Sequence, residues 1–133
     1  MILVDSNVWI DLIQRDPKWL EWSARQVQGL RQSDVLAINA VIYAELVPNY
    51  DRHEDMAQFM RLSGAKLMPL SEACAYEAGR AFEQYRKRGG AKTGVVANFF
   101  IGAQAVTEGW TLLTRDAGRY KTYFPKIKMI CPE

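Results

Sequence analysis

The first eleven residues, Met1 to Asp11, constrain the fold more than any other stretch of the chain. The apolar run Met1 to Val4 is too short for a helix, shows no polar alternation and stops at Asp5, Ser6 and Asn7, which favour caps and turns. This pattern predicts a buried parallel strand that ends in a turn. In open α/β sheets the carboxyl ends of the strands line the ligand crevice, so Asp5 is either an active-site acid or only the cap of the next helix.

Short apolar runs alternate with helical patterns along the rest of the chain. Further strands are predicted at 35–38, 66–70, 110–114 and 127–131, and the segments between them carry apolar residues at helical spacing. Strands separated by helices indicate the α/β class, with a mostly parallel sheet and helices on both faces. The predicted helices cover 8–13, 17–32, 40–47, 53–62, 72–86 and 93–108, with a short one before Tyr123.

Length and composition fit a single domain, residues 1–133, that can bury a core without staples. Cys74 and Cys131 have neither the number nor the spacing of a disulfide framework or a metal knuckle, so a reduced, cytoplasmic setting is expected. No apolar stretch reaches the roughly 20 residues of a membrane-spanning helix, and no charged region precedes the N-terminal apolar run as in a signal peptide. We therefore expect a soluble protein.

The net charge of +2 neither demands nor excludes a nucleic-acid partner, but the basic residues are unevenly distributed. They are concentrated in two stretches where acids are sparser. A solvated helix face explains many such runs, and contact with RNA phosphates is the alternative. The stretches contain Arg80, Arg86, Lys87, Arg88 and Lys92, and then Arg115, Arg119, Lys121, Lys126 and Lys128.

Two predicted strands each lead into an acid, Asp5 after the first and Asp116 after the strand at 110–114. If these strands are parallel neighbours, both carboxylates lie at the same edge of the sheet. Glu45 is a third candidate, because an acid in an otherwise apolar half-turn is not expected on a solvated face and needs a partner. Clustered carboxylates repel one another unless a cation lies between them, and Mg²⁺ or Mn²⁺ prefers such oxygen ligands. A site of this kind suits phosphodiester hydrolysis.

Four segments resemble the PIN-domain ribonucleases and, among them, the VapC-type toxins of prokaryotic toxin–antitoxin pairs. They are DSNVWID after the first strand, AVIYAELV, NFFIGAQA and GWTLLTRD, and they occur in the family's order across nearly the whole chain. The resemblance implies a three-layer α/β/α sandwich with a central, mostly parallel sheet. It also implies a Mg²⁺- or Mn²⁺-dependent endoribonuclease that cuts structured RNA with metal-activated water, forms a homodimer and is neutralised by an antitoxin.

The resemblance also carries the family's site onto this chain. Asp5, Glu45 and Asp116 correspond to the first, second and fourth acids, which bind the metal and act in catalysis. Asn98 stands at the third position, as the altered member of the same catalytic and metal-binding set. Polar supports of the site would be Ser6 or Asn7, beside the first acid, and Thr114, ahead of the fourth.

Asn98 is the departure, because the family normally has aspartate at this position. Asparagine keeps an oxygen that can face a cation, but it lacks the charge and adds an NH₂ donor, so weaker metal binding and hydrolysis are expected. Three explanations are open: an engineered inactivating exchange, a naturally weakened or inactive member, or a site in which the other three acids suffice. All three are compatible with Asn98 acting as the N-cap of its helix.

Two other functions are open. A PIN-fold protein could bind RNA or an antitoxin without cutting. A phosphatase with Asp5 as nucleophile is less favoured, because that chemistry usually needs another acid two residues on, where this chain has Asn7. His53, the sole histidine, lies in a polar connection that offers no nucleophilic triad.

The large aromatic residues are expected in the core or at a dimer contact rather than as platforms on which bases stack: Trp9, Trp19, Trp22, Phe82, Phe99, Phe100 and Trp110.

Overall fold

The computed structural model describes residues 1–92 and 94–133. Short strands alternate with helices throughout these residues. The strands are β1 (Ile2–Val4), β2 (Leu36–Ile38), β3 (Lys66–Leu67), β4 (Thr111–Leu113) and β5 (Lys128–Ile130). The helices are α1 (Ser6–Ile13), α2 (Leu20–Arg31), α3 (Ala40–Leu46), α4 (His53–Ser63), α5 (Glu72–Lys87), α6 (Val96–Glu108) and α7 (Gly118–Lys121), with a 3₁₀ turn at Val47–Asn49.

The strands form one sheet in the order β3-β2-β1-β4-β5, and each neighbouring pair is parallel. Strand β1 is central, since Ile2 pairs with Leu36 on one side and with Thr111 on the other. The chain builds the sheet outwards from β1 to β3 and then returns to the opposite side of β1 with β4. Such a reversal leaves a crevice outside the carboxyl ends of the two strands that flank it. The predicted α/β/α sandwich with a parallel sheet is confirmed.

The core has two parts. Leu3, Val4, all of β2 and the last two residues of β4 are buried, which explains the apolar runs of the central strands. A second cluster lies around α5 and α6 and contains Cys74, Phe99 and Phe124. Burial raises the pKa of the Cys74 thiol to about 11, and both cysteines of the chain are free. Within the described residues, no helix combines the length and the apolar character that crossing a membrane requires.

Most of the large aromatic side chains lie where the sequence predicts, in or against these clusters. Trp9 and Phe99 are buried, and others are half-buried against one of the two clusters. Trp19 differs, because its ring lies outside both clusters and the guanidinium of Arg115 is 5.3 Å from the ring centroid. The half-buried members are Trp22, Phe82, Phe100 and Trp110.

Several element ends differ from the prediction. Helix α2 begins at Leu20 rather than at residue 17, because Asp16 Oδ1 accepts hydrogen bonds from the backbone N–H groups of Lys18 (2.8 Å) and Trp19 (2.9 Å). Those bonds hold residues 17–19 in a turn. Strand β3 has only two residues and ends before Pro69, which cannot donate to a ladder.

The start of α6 also requires a correction. The predicted helix begins at Thr93, which lies outside the described residues, whereas α6 begins at Val96. The N-cap is Val95, and the backbone N–H of Phe99 donates to the Val95 carbonyl. Asn98 is therefore the third residue within the first turn, and the interpretation of Asn98 as the N-cap is wrong.

Gly102, in α6, provides a test of core packing. A Cβ atom at this position would lie 2.5 Å from the ring of Phe124, which is itself buried. We expect Gly102→Ala to lower the free energy of unfolding by about 1–3 kcal/mol through overpacking, although alanine favours helices. Gly79→Ala, in α5, is the matched control, because apart from the backbone of its own helix no atom lies within 4 Å of the added Cβ. It should raise the free energy of unfolding by up to about 1 kcal/mol, and urea unfolding with equal effects for both variants would contradict this account.

Candidate active site

Asp5 lies at the carboxyl end of β1 and is only 1% exposed. Its Oδ1 accepts a hydrogen bond from the backbone N–H of Ser6 at 2.8 Å, so the interpretation of Asp5 as a helix cap is confirmed for α1. Its Oδ2 accepts hydrogen bonds from the hydroxyl groups of Tyr120 at 2.6 Å and Thr114 at 2.9 Å. The carboxylate therefore joins β1, the segment after β4 and α7, in addition to capping the helix.

Ser6 connects Asp5 to Glu45. The Ser6 hydroxyl donates to Glu45 Oε1 at 3.0 Å and lies 3.4 Å from Asp5 Oδ1. Glu45 is nevertheless an exposed residue, so the expectation that it avoids the solvated face is wrong. The buried stripe of α3 consists of Ile42 and Leu46, and Glu45 lies at the edge of that stripe. Its carboxylate reaches the network from the surface.

The surroundings of the Glu45 carboxylate disfavour its ionised form. Desolvation raises its pKa and the charge of Asp5 raises it further, whereas the hydrogen bond from Ser6 and the charge of Arg119 lower it. Because the pKa of Glu45 is higher in the folded than in the unfolded chain, stability is lost as the pH rises from the unfolded-state pKa through the folded-state pKa. At neutral pH, a cation near Asp5 and Glu45 would remove part of this cost.

Thr114 holds the segment after β4 against the segment after β1. Its Oγ1 donates to Asp5 and accepts from the backbone N–H of Asp116 at 3.0 Å and from Asn7 Nδ2 at 3.3 Å. Asn7 also accepts from the backbone N–H of Arg115 at 3.3 Å through its Oδ1. The two strand ends therefore lie side by side, with the backbone of Asp116 fixed near Asp5.

The carboxylate of Asp116 is turned towards Arg119. Arg119 Nε lies 2.7 Å from Asp116 Oδ2, and both side chains are about half-exposed. Arg119 and Asn98 border the same cavity of about 150 Å³, which is also lined by the rings of Tyr85, Phe99 and Tyr123. The structure thus brings six predicted site residues into one network and places Asn98 at a neighbouring cavity. The six are Asp5, Ser6, Asn7, Glu45, Thr114 and Asp116.

The donor atoms of this network suit a hard divalent cation in kind, since they are carboxylate and hydroxyl oxygens. In residues 1–92 and 94–133, however, no group of three or more His, Cys, Asp or Glu side chains is arranged to hold a metal ion. Asp5 and Glu45 converge on Ser6, whereas the Asp116 carboxylate is engaged by Arg119. The metal-binding roles stay predictions, and a third carboxylate would have to change partner to join the first two.

Comparison with known proteins identifies the family. A sequence model of the PIN domain matches residues 2–125. The chain belongs to the PIN domain family. The predicted resemblance to PIN domains is therefore confirmed. No curated protein matches the sequence.

Solved structures share the fold of this PIN domain at low sequence identity. VapBC2 from Rickettsia felis, bound to a DNA fragment from its promoter, has a TM-score of 0.75 and 19% identity over 100% of both chains. VapBC-1 from nontypeable Haemophilus influenzae has a TM-score of 0.73 and 20% identity over 98% of each chain. A toxin–antitoxin complex from Klebsiella pneumoniae has a TM-score of 0.63 and 22% identity, covering 100% of this chain and 98% of the other. At these identities the similarity shows the fold.

Arg115 has a structural partner in this PIN domain, although its sequence position suggested RNA contact. Its Nε and one terminal nitrogen lie 2.8 and 3.0 Å from the two carboxylate oxygens of Asp11, which is 1% exposed. Ser23 also donates to Asp11 at 2.7 Å, and the hydrogen bond with Asp11 raises the pKa of Arg115. This cluster was not predicted from the sequence. Its signal is an acid, Asp11, inside an otherwise apolar helical segment.

Tyr120 is a further residue of the site that was not predicted from the sequence. It is fully buried, although it follows Asp116 by four residues in a largely basic segment. Burial raises its pKa and the charge of Asp5 raises it further, so the hydroxyl keeps its proton and acts as a donor to Asp5. The sequence signal is an aromatic residue placed directly between Arg119 and Lys121.

Tyr120→Phe should therefore weaken the support of Asp5 without altering the packing of the ring. Because hydrogen bonds to charged groups contribute more than neutral ones, we expect the free energy of unfolding to fall by about 1–3 kcal/mol. Tyr76→Phe is the control, since its hydroxyl contacts Arg80 and its side chain is exposed. The control should change the free energy of unfolding by less than about 0.5 kcal/mol in urea unfolding. Similar losses in both variants would argue against a specific contribution from the Tyr120–Asp5 bond.

Proposed function

We propose that the chain is a Mg²⁺- or Mn²⁺-dependent endoribonuclease, and the toxin of a toxin–antitoxin pair. The observation that carries the proposal is the meeting of Asp5 and Glu45 on one serine hydroxyl, with the backbone of Asp116 tied to Asp5 through Thr114. This network lies at the carboxyl ends of β1 and β4, where the strand order reverses. Ligands of open parallel sheets bind at such positions.

The residues that would hold the metal are Asp5, Glu45 and Asp116, with the side-chain oxygen of Asn98 as the neutral member. A bound divalent cation would supply Lewis-acid activation of water and neutralise charge that develops on a phosphodiester. Asp5 is held by the Ser6 backbone and by Thr114, so its orientation does not depend on the cation. The raised pKa of Glu45 supports the proposal, because a nearby cation would stabilise its ionised form.

Exposed basic residues support RNA as the substrate. The end of α5 and the residues after it carry Arg86, Lys87, Arg88 and Lys92 at the surface. The guanidinium of Arg88 lies 5.3 Å from the ring centroid of Tyr123, which lines the cavity beside Asn98. Positive side chains of this kind bind the phosphate backbone without reading sequence. We propose that a structured RNA approaches the site along this surface.

The relatives support an antitoxin partner. The relative from Klebsiella pneumoniae was solved as a toxin–antitoxin complex, and two others are VapBC assemblies. By analogy, we propose that a small antitoxin neutralises this chain and that the toxin forms a homodimer in the cytoplasm. Size-exclusion chromatography with light scattering tests the dimer directly.

An RNA digestion separates cutting from binding. The chain and its Asn98→Asp variant are incubated with total RNA in Mg²⁺ or Mn²⁺ and then with excess EDTA, and Asp5→Asn serves as the inactivated control. We expect the chain and its Asn98→Asp variant to cleave RNA in the presence of Mg²⁺ or Mn²⁺, and EDTA to stop the cleavage. The Asp5→Asn control should not cleave RNA. If neither the chain nor Asn98→Asp cuts RNA, the nuclease proposal fails. If only Asn98→Asp cuts, the chain is a disarmed form of the enzyme.

A non-cutting PIN protein is the second candidate, and two observations favour it. Asn98 lacks the charge that the family normally has at this position, and Asp116 is paired with Arg119 instead of facing Asp5. Such a protein would retain RNA on a filter in metal and in EDTA alike, without producing fragments. RNA binding with no cleavage by either version would support this candidate over the nuclease.

A further inference from the structure

Arg119 is the basic side chain closest to the acids of the site. Its Nε lies 2.7 Å from Asp116 Oδ2, within ion-pair and hydrogen-bond distance. It borders the cavity that Asn98 lines. Arg119 thus pairs with one of the four positions that the proposed nuclease would use for a metal, Asp116, and borders the cavity that a second one, Asn98, lines.

We propose that Arg119 acts as a built-in cation of this acidic site and competes with the divalent metal for Asp116. The inference rests on the proposed metal-dependent function and adds a residue to it. The guanidinium engages one of the two carboxylate oxygens of Asp116 and offsets its negative charge, which weakens the attraction of that carboxylate for a second cation. The guanidinium and a divalent cation would also repel each other at such short range. Metal binding through Asp116 is therefore stronger when Arg119 moves away.

The position of Arg119 allows this movement. Its side chain is 49% exposed, and α7, which carries it, has only four residues. Exposed ion pairs of this kind are weak, so a divalent cation can displace the guanidinium. Arg115, four residues earlier, is a useful contrast. It contacts both oxygens of the buried Asp11, so it is not expected to exchange partners.

In residues 1–92 and 94–133, the competition concerns the one proposed acid that stands apart from the other two. Asp5 and Glu45 already converge on Ser6, and the carboxylate that is missing from the group is the one bound to Arg119. Removing the guanidinium should leave Asp116 free to turn towards the other two. A neutral side chain of similar length, as in Arg119→Gln, makes this change with little loss of volume.

Mn²⁺ affinity, measured by isothermal titration calorimetry without RNA, tests the proposal independently of catalysis. Because an exposed pair is worth up to about 1 kcal/mol, Arg119→Gln should tighten Mn²⁺ binding about two- to fivefold. Arg119→Lys keeps the charge and should stay near the parent affinity. Arg25→Gln, which breaks a comparable exposed pair with Glu21 on α2, should leave the affinity unchanged. Thermal melting of each variant checks that it is folded.

A double-mutant cycle assigns the effect to the pair with Asp116. In the Asp116→Asn background, Arg119→Gln should give little or no gain in Mn²⁺ affinity, because the competition has already been removed. If Arg119→Gln raises the Mn²⁺ affinity equally in the parent and in the Asp116→Asn background, Arg119 acts only through its general charge, and the proposal is overturned. All titrations are repeated in the Asn98→Asp background, where the site carries its full set of acids.

The outcomes separate this proposal from the proposed function. If the parent or Asn98→Asp binds Mn²⁺ and Arg119→Gln binds it no more tightly, the competition is overturned while the metal site stands. If Mn²⁺ binds neither the parent nor Asn98→Asp, with or without Arg119→Gln, both proposals are overturned. Tighter binding in Arg119→Gln alone, with Arg119→Lys and Arg25→Gln near the parent, supports the competition.

Discussion

Replacement of Asn98 by aspartate is expected to strengthen Mn²⁺ binding by about 10- to 100-fold, which corresponds to about 1.4–2.8 kcal/mol. The new charge would lie at the cavity that Arg119, the ion-pair partner of Asp116, also borders. Two unit charges about 4 Å apart interact by about 4 kcal/mol at an effective dielectric constant of about 20, and repulsion from the other acids offsets part of this gain. Aspartate in the first turn of α6 also suits the helix dipole, so little stability should be lost.

Calorimetric titration with Mn²⁺ measures this effect, and RNA cleavage at several metal concentrations shows whether activity follows affinity. Gln28→Glu is the matched control, since it adds the same charge to an exposed position on α2. It should change the Mn²⁺ affinity by less than about twofold, because water and salt screen the charge of an exposed side chain that takes no part in the site. If Asn98→Asp behaves like Gln28→Glu, position 98 takes no part in a metal site.

Replacement of Arg115 by glutamine is expected to lower the free energy of unfolding by about 2–4 kcal/mol. The change removes the positive partner of the Asp11 carboxylate, which is 1% exposed. The hydroxyl of Ser23 still donates a hydrogen bond to it, but no charge compensates it. Breaking a buried ion pair on one side typically costs about 3–5 kcal/mol. We expect somewhat less, because the Arg115 side chain is 28% exposed and water can reach the gap.

Urea unfolding measures this loss, with Arg25→Gln as the control for an exposed arginine paired with a glutamate. The control should cost less than about 0.5 kcal/mol. The double variant Asp11→Asn with Arg115→Gln should recover part of the stability, since no uncompensated charge remains buried. A loss for Arg115→Gln no larger than that for Arg25→Gln would show that the Asp11 pair contributes nothing beyond a surface contact.

The general architecture was predictable from the sequence because it depends on local patterns. The run that ends at Asp5 is buried on both faces of the sheet, which leaves no polar alternation in the strand. The pairing of β1 with β4 then brings Thr114 to Asp5, as expected for parallel neighbours. Glycine at the ends of α4 and α6 also has the left-handed backbone that favours it, with φ of 70° at both Gly64 and Gly109.

The parts that were not predictable depend on contacts between distant segments. Nothing local shows that Tyr120 turns inwards to Asp5 while Arg119 beside it stays at the surface. The basic composition of this segment likewise does not distinguish Arg115, which binds a buried acid, from an RNA-binding arginine. The exposure of Glu45 depends on how α3 is rotated about its axis against the core. Leu46, the next residue along the helix, is buried, so neighbouring positions differ in exposure.

The central position of β1 has a consequence for when the site forms during synthesis. Ile2 pairs with Thr111, and Asp5 is supported by Thr114 and Tyr120, so more than a hundred residues separate the two halves of the network. Because contacts this distant in sequence form only when both segments are available, a growing chain cannot complete the network before α7 has left the ribosome. Asp5 is thus made early but acquires its hydroxyl donors only after residues 114–120 have been synthesised.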